Sequence, residues 1–179
     1  MKLGVINVLF GGETLEWALS YFKSLGIEEI EVGCGGYPGK AHCDPAVLLA
    51  DDKKLEEFKN LFDKYGLKIN ALGCHGNPVH PDKATAEKYI NDWHNAVLLA
   101  EKLGVKKIIG FGACGPRLVK DLDFENSEVV TTLDEAMQIA KREAVSGDTV
   151  LLSPTTSSFD QYSCFEERGE HFKKIVMEF

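Results

Sequence analysis

Three glycines set the rhythm of this chain. Gly26, Gly66 and Gly104 each end an amphipathic run, and a short apolar run follows each one. A helix stopped by glycine and followed at once by a buried strand is the mark of strand–helix alternation. Parallel strands need helical crossovers, so such a chain is committed to a parallel sheet covered by helices. The apolar runs at 3–10, 29–33, 68–72, 107–111 and 128–131, and the one that begins at Asp148, read as strands. Between them lie helical stripes: Leu15, Ala18, Leu19 and Phe22 behind the N-cap Thr14, then Leu55, Phe58, Leu61, Phe62 and Tyr65 behind Asp51 or Asp52. Tyr89, Ile90, Trp93, Val97 and Ala100 form a third stripe, and two shorter helices are expected at 116–120 and 133–144.

The expected fold is therefore α/β: six βα units in an open, mostly parallel sheet with helices on both faces, a Rossmann-like three-layer sandwich. Six strands are too few for a filled eight-stranded barrel. A curved half-barrel sheet is the alternative. The strand starts at Leu3, Glu29, Lys68 and Lys107 are widely spaced, whereas Lys107, Glu128 and Asp148 follow closely. One architecture rarely changes its repeat so abruptly, which places a seam between Lys106 and Pro116 inside a single domain of residues 1–179.

A formal net charge of -8 at pH 7 argues against a nucleic-acid partner. No apolar run approaches the ~20 residues that span a bilayer, so no membrane partner is expected. MKLGVINVLF leads straight into polar GGET and reads as a first strand rather than a signal peptide, which points to the cytoplasm. The five cysteines are odd in number and none has CxxC spacing. Cys34, Cys74 and Cys114 follow apolar runs whose ends could meet, but small half-buried thiols are expected rather than a metal site.

Near the C-terminus the run from Thr149 to Leu152 feeds hydroxyl-rich SPTTSSFD and then a helical stripe at Tyr162, Phe165, Phe172, Ile175 and Val176. Hydroxyls before a helix either cap it or help its free N–H groups hold a small anion. The string SPTTSSFDQYSCFEERGEHF resembles the C-terminal domain of the UDP-N-acetylmuramoyl-alanine–D-glutamate ligase family, over residues 110–179. That resemblance implies that Ser158, Phe159 and Phe165 help hold D-glutamate.

GCGGYPGKAHCDP, NALGCHGNPVHP and AEKLGVKKIIGF, within residues 1–111, resemble the sugar-phosphate isomerase/epimerase family built on a xylose-isomerase-like (β/α)8 barrel. His42, His75 and His80 fall after strands, where barrel active sites lie, and are candidate ligand-binding residues. They serve either as acid, base or metal ligand, or as exposed loop histidines among turn formers; the residues alone leave both open.

Each resemblance implies an incomplete site. The barrel family holds its metal with carboxylates and a histidine from later strands, and the segment 112–179 shows no such spacing. The ligase needs ATP, yet no GxxxxGK[ST] occurs, and GCGG at 33–36 is not a dinucleotide fingerprint. No cofactor, metal site or catalytic residue is assigned. Cutting two families in mid-domain points to an engineered chimera, not an enzyme, recombined from residues 1–111 and 112–179. Binding of D-glutamate or another small anion, and metal-dependent sugar isomerisation, are the alternatives. A homodimer formed through an uncovered sheet edge is also expected.

Overall fold

Thr14, Asp44, Asp51, Asp82 and Thr132 each turn a side-chain oxygen onto a backbone N–H and so start a helix. Short polar side chains satisfy the donors that a helix start leaves unpaired, which is why these positions begin segments. Gly26, Gly66 and Gly104 follow the helices with positive φ, where the sequence places the stops. These features belong to a computed structural model, which describes residues 3–122, 124–154 and 156–178. The fold is α/β, with parallel strands in open sheets. It divides into two units, Met1–Val105 and Lys106–Phe179.

The first unit runs β1 (Gly4–Ile6), a 3₁₀ turn (Asn7–Phe10), α1 (Leu15–Ser24), β2 (Glu29–Gly36), α2 (Pro45–Leu49), α3 (Asp52–Tyr65), β3 (Lys68–His75) and α4 (Lys83–Lys102). Its strands pair in parallel in the order β1-β2-β3. Ile30, Val32 and Cys34 of β2 form one core with Ala18, Leu19 and Phe22 of α1, with Leu55, Phe58 and Phe62 of α3, and with Leu99 of α4. Each large side chain so buried contributes roughly 1.5–3 kcal/mol. Strand alternation turns Glu29 and Glu31 the other way, so the sheet has one apolar and one polar face.

The second unit holds β4 (Ile108–Phe111), α5 (Gly115–Leu122), β5 (Ser127–Val130), α6 (Leu133–Glu143) and α7 (Phe165–Met177). The two strands are parallel, with Ile108 opposite Ser127. Leu133, Ala136, Met137 and Ile139 bury one face of α6. A Cβ on Gly115 would lie 2.9 Å from the carbonyl carbon of Gly110, so α5 and β4 meet backbone to backbone.

Four expectations change. The buried face of α4 is Asp92, Ala96 and Leu99 rather than the expected stripe Tyr89, Ile90, Trp93, Val97 and Ala100, and Ile90 is exposed. The first strand ends at Ile6, because Asn7 leaves the ladder and turns inward, its Oδ1 accepting from Gly33 N–H at 3.0 Å. The loop after β2 contains α2, which Asp44 caps and Pro45 opens, a start signal hidden in a glycine- and proline-rich stretch. Residues 148–152, expected as a sixth strand, have no regular structure, and Val150 and Leu151 are exposed. Strand propensity alone makes no strand without a ladder partner. Asp148 instead bonds Lys106 Nζ and Val145 N–H. No helix among the described residues is long and apolar enough to cross a membrane.

Candidate functional site

In the second unit the segment after residue 152 folds back over the ends of β4 and β5. Asp160 Oδ2 accepts from Ala113 N–H at 2.8 Å, and Gln161 Nε2 donates to the carbonyl of Thr131. Ser158 C=O accepts from Gln161 and Tyr162 N–H, which makes a tight turn and leaves Ser158 2% exposed. Ser158, Asp160, Tyr162, Arg168 and Cys114 line a cavity of about 60 Å³ at the end of β4. Arg168 is 8% exposed; its Nη1 donates to Thr156 C=O at 3.3 Å, and no ion pair joins it to a carboxylate among the described residues.

The phenol in this wall is fixed from behind. Tyr162 Oη lies 2.8 Å from His171 Nδ1, and His171 Nε2 lies 3.3 Å from Asp134 Oδ1. Burial raises the Tyr162 pKa, and the Asp134 carboxylate adds to the effect. The start of α7 is already served by its own chain: Glu167 accepts from both the N–H and the hydroxyl of Ser163 at 2.8 Å. With Glu166 and Glu167 in its first turn, that helix end repels an anion, so the cavity beside Arg168 is the better-placed anion site.

Of the residues expected to hold D-glutamate, Ser158 is in the cavity wall. Phe159 and Phe165 are 75% and 69% exposed and do not line it. The histidines of the first unit do not converge. Asn7 Nδ2–H donates to His42 Nδ1 at 3.1 Å, so His42 Nε2–H donates to Glu13 C=O at 2.9 Å, and both ring nitrogens are used. His75 ends β3 with Nε2 3.8 Å from Glu31 Oε1, and His80 Nδ1 accepts from Asp82 N–H at 3.1 Å. Among the described residues no three His, Cys, Asp or Glu side chains are grouped to hold a metal. Cys34 and Cys74 do meet, whereas Cys114 belongs to the second unit.

Asp92, Arg168 and His171 were not singled out from sequence, although the first two carried a signal. Arg168 lies on the helical stripe between Phe165 and Phe172, and Asp92 on the one that buries Ala96 and Leu99, where a charge must have a buried task.

A family model described as the xylose isomerase-like TIM barrel matches residues 19–178. The UDP-N-acetylmuramoylalanine–D-glutamate ligase of Chlamydia trachomatis serovar D is 38% identical over 82 residues, covering 46% of this chain and 20% of that protein. The corresponding ligase of Bdellovibrio bacteriovorus is 46% identical over 79 residues, covering 44% and 17%. The chain thus spans a fifth or less of the length of these relatives. A crystal structure of an uncharacterized protein from Parabacteroides distasonis aligns over 83% of this chain and 59% of that one, with 18% identity and a TM-score of 0.44. Both likenesses expected from the sequence stand, and the barrel-family match continues past Phe111 into the second unit.

Proposed function

The chain belongs to the xylose isomerase-like TIM barrel family and also carries ligase-like sequence; from that premise we propose a chimera, recombined by engineering, whose remaining capacity is to bind a small carboxylate, D-glutamate first, beside Ser158 and Arg168. The observation that carries the reading is the buried guanidinium of Arg168 on a cavity of about 60 Å³. A guanidinium out of water without a carboxylate partner is costly, and an incoming carboxylate supplies the missing charge-assisted bonds. Asp160 faces the same space, but its Oδ2 is held by Ala113 N–H, so the ligand approaches from the Arg168 side. The cavity has room for a carboxyl group and its neighbouring carbon, not for a nucleotide. Turnover of the ligase kind is not part of the proposal.

Calorimetric titration of the full chain with D-glutamate, L-glutamate and phosphate tests this. Heat is expected with D-glutamate. Arg168→Met should weaken binding ~10-fold or more, as loss of one charged hydrogen bond does. Ser158→Ala, a milder change, guards against a folding defect in the first variant. Absence of heat with every ligand, or binding untouched by both substitutions, overturns the reading. Manganese-dependent turnover of a ketose would replace it with the isomerase alternative.

A further inference from the structure

The two strands that carry Cys34 and Cys74 slip by one residue where the thiols lie. Gly33 pairs with Gly73 and Gly35 with Cys74, so two steps on β2 match one on β3. In unbroken register Cys34 would pair with Cys74 on one face; the bulge sets two residues, Cys34 and Gly35, opposite the one residue Cys74. Cys34 and Cys74 turn to the same apolar side: Cys34 is in the core and Cys74 packs against it. Gly35 makes the room. A Cβ there would stand 2.8 Å from Cys74 Sγ. The two thiols lie near enough for each to shift the other's protonation. Adjacent strands lie about 4.8 Å apart, inside the Cα separation that a disulfide spans.

The two sulfurs are not equivalent. Cys34 has no exposed surface, and the neighbouring Cys74 thiol together with burial pushes its own thiol well up. Cys74 is half-buried, and the Cys34 thiol beside it holds its pKa down, with Lys40 and Lys88 assisting against burial and the Asp92 carboxylate. One sulfur is poised to react and the other to follow.

We infer that Cys34 and Cys74 form a reversible redox pair, oxidised by a peroxide to a disulfide that ties β2 to β3. The Cys74 thiolate attacks the peroxide, forming an S–O bond, breaking the O–O bond and releasing hydroxide. Cys34 then gives its proton to that hydroxide and attacks the Cys74 sulfur. The S–S bond forms, and the sulfenic oxygen leaves as hydroxide with a proton from solvent. In sum two thiols lose two electrons and two protons, and one hydrogen peroxide becomes two waters. The buried sulfur needs no solvent access, because its partner brings the oxidised atom to it.

The test is a titration of the full chain with hydrogen peroxide, then denaturation, maleimide capping and peptide mapping. Maleimide labelling of Cys34 and Cys74 should be lost together, with Cys43, Cys114 and Cys164 still labelled, and the two peptides joined until dithiothreitol separates them. In Cys34→Ala, dimedone should trap a sulfenic acid at Cys74. Oxidation of Cys74 to sulfinic acid while Cys34 stays free, or a cross-link through Cys43, overturns the inference. So does oxidation of exposed Cys114 before the pair reacts.

Discussion

Replacing Asp92 with asparagine should remove the main ionic tie of the first unit. The carboxylate is 6% exposed and sits between Lys40 Nζ at 2.6 Å and Lys88 Nζ at 2.9 Å, with Gly36 N–H donating at 3.2 Å. Burial works against its charge, but the two ammonium groups and the backbone donor outweigh it and hold its pKa at about 2, against an ordinary 3.8. That difference corresponds to about 2.5 kcal/mol of stability at neutral pH. Lys88 is half open to solvent and screened there, so about 2 kcal/mol is expected for the substitution. Because the folded pKa lies below the unfolded one, the contribution is complete above pH ~4 and is lost as pH falls towards ~2. Urea denaturation followed by tryptophan fluorescence measures it, since both tryptophans, Trp17 and Trp93, are in the first unit. Asp92→Asn should unfold earlier at neutral pH, and the gap to the parent chain should close in acid. A variant within ~0.5 kcal/mol of the parent at pH 7 refutes the reasoning, as does a gap that persists at pH ~2.

Two further changes probe the second unit. Gly115→Ala puts a methyl group 2.9 Å from the Gly110 backbone, which should push α5 off β4 at a cost of about 1–3 kcal/mol. Amide exchange in α5 should quicken, and unchanged protection would count against backbone contact there. Thr132→Ala removes half of the capping box in which Thr132 Oγ1 accepts from Glu135 N–H and Glu135 accepts from Thr132 N–H. A loss of about 1 kcal/mol by thermal melting is expected; no loss would mean that Leu133, Met137 and Ile139 hold α6 by packing alone.

Local chemistry made much of the fold readable. Thr14, Asp51 and Thr132 start helices, and Gly66 stops one, because backbone satisfaction depends on near neighbours. Asn7 could not be read this way: its partners, Gly33 and His42, are remote in sequence, and nothing local says that a strand should give way to them. The run at 149–152 failed in the opposite direction, with strand-like composition and no partner strand. At the candidate site, Ser158 was legible through a motif. The Tyr162–His171–Asp134 chain depends on how α6 and α7 meet, which no spacing encodes. The approach of Cys34 to Cys74 follows from β2 pairing with β3 in this register, which no local spacing states.

The inward turn of Asn7 has an effect at the opposite scale, on how the chain meets other copies of itself. By leaving the ladder, Asn7 cuts β1 to three residues, and β1 ends its sheet. A long end strand is a template on which a second chain can grow, whereas one this short offers too few N–H and C=O groups to hold it. A buried amide thus keeps this border of the sheet a poor seed for aggregation, without a charge or a proline placed on β1 itself.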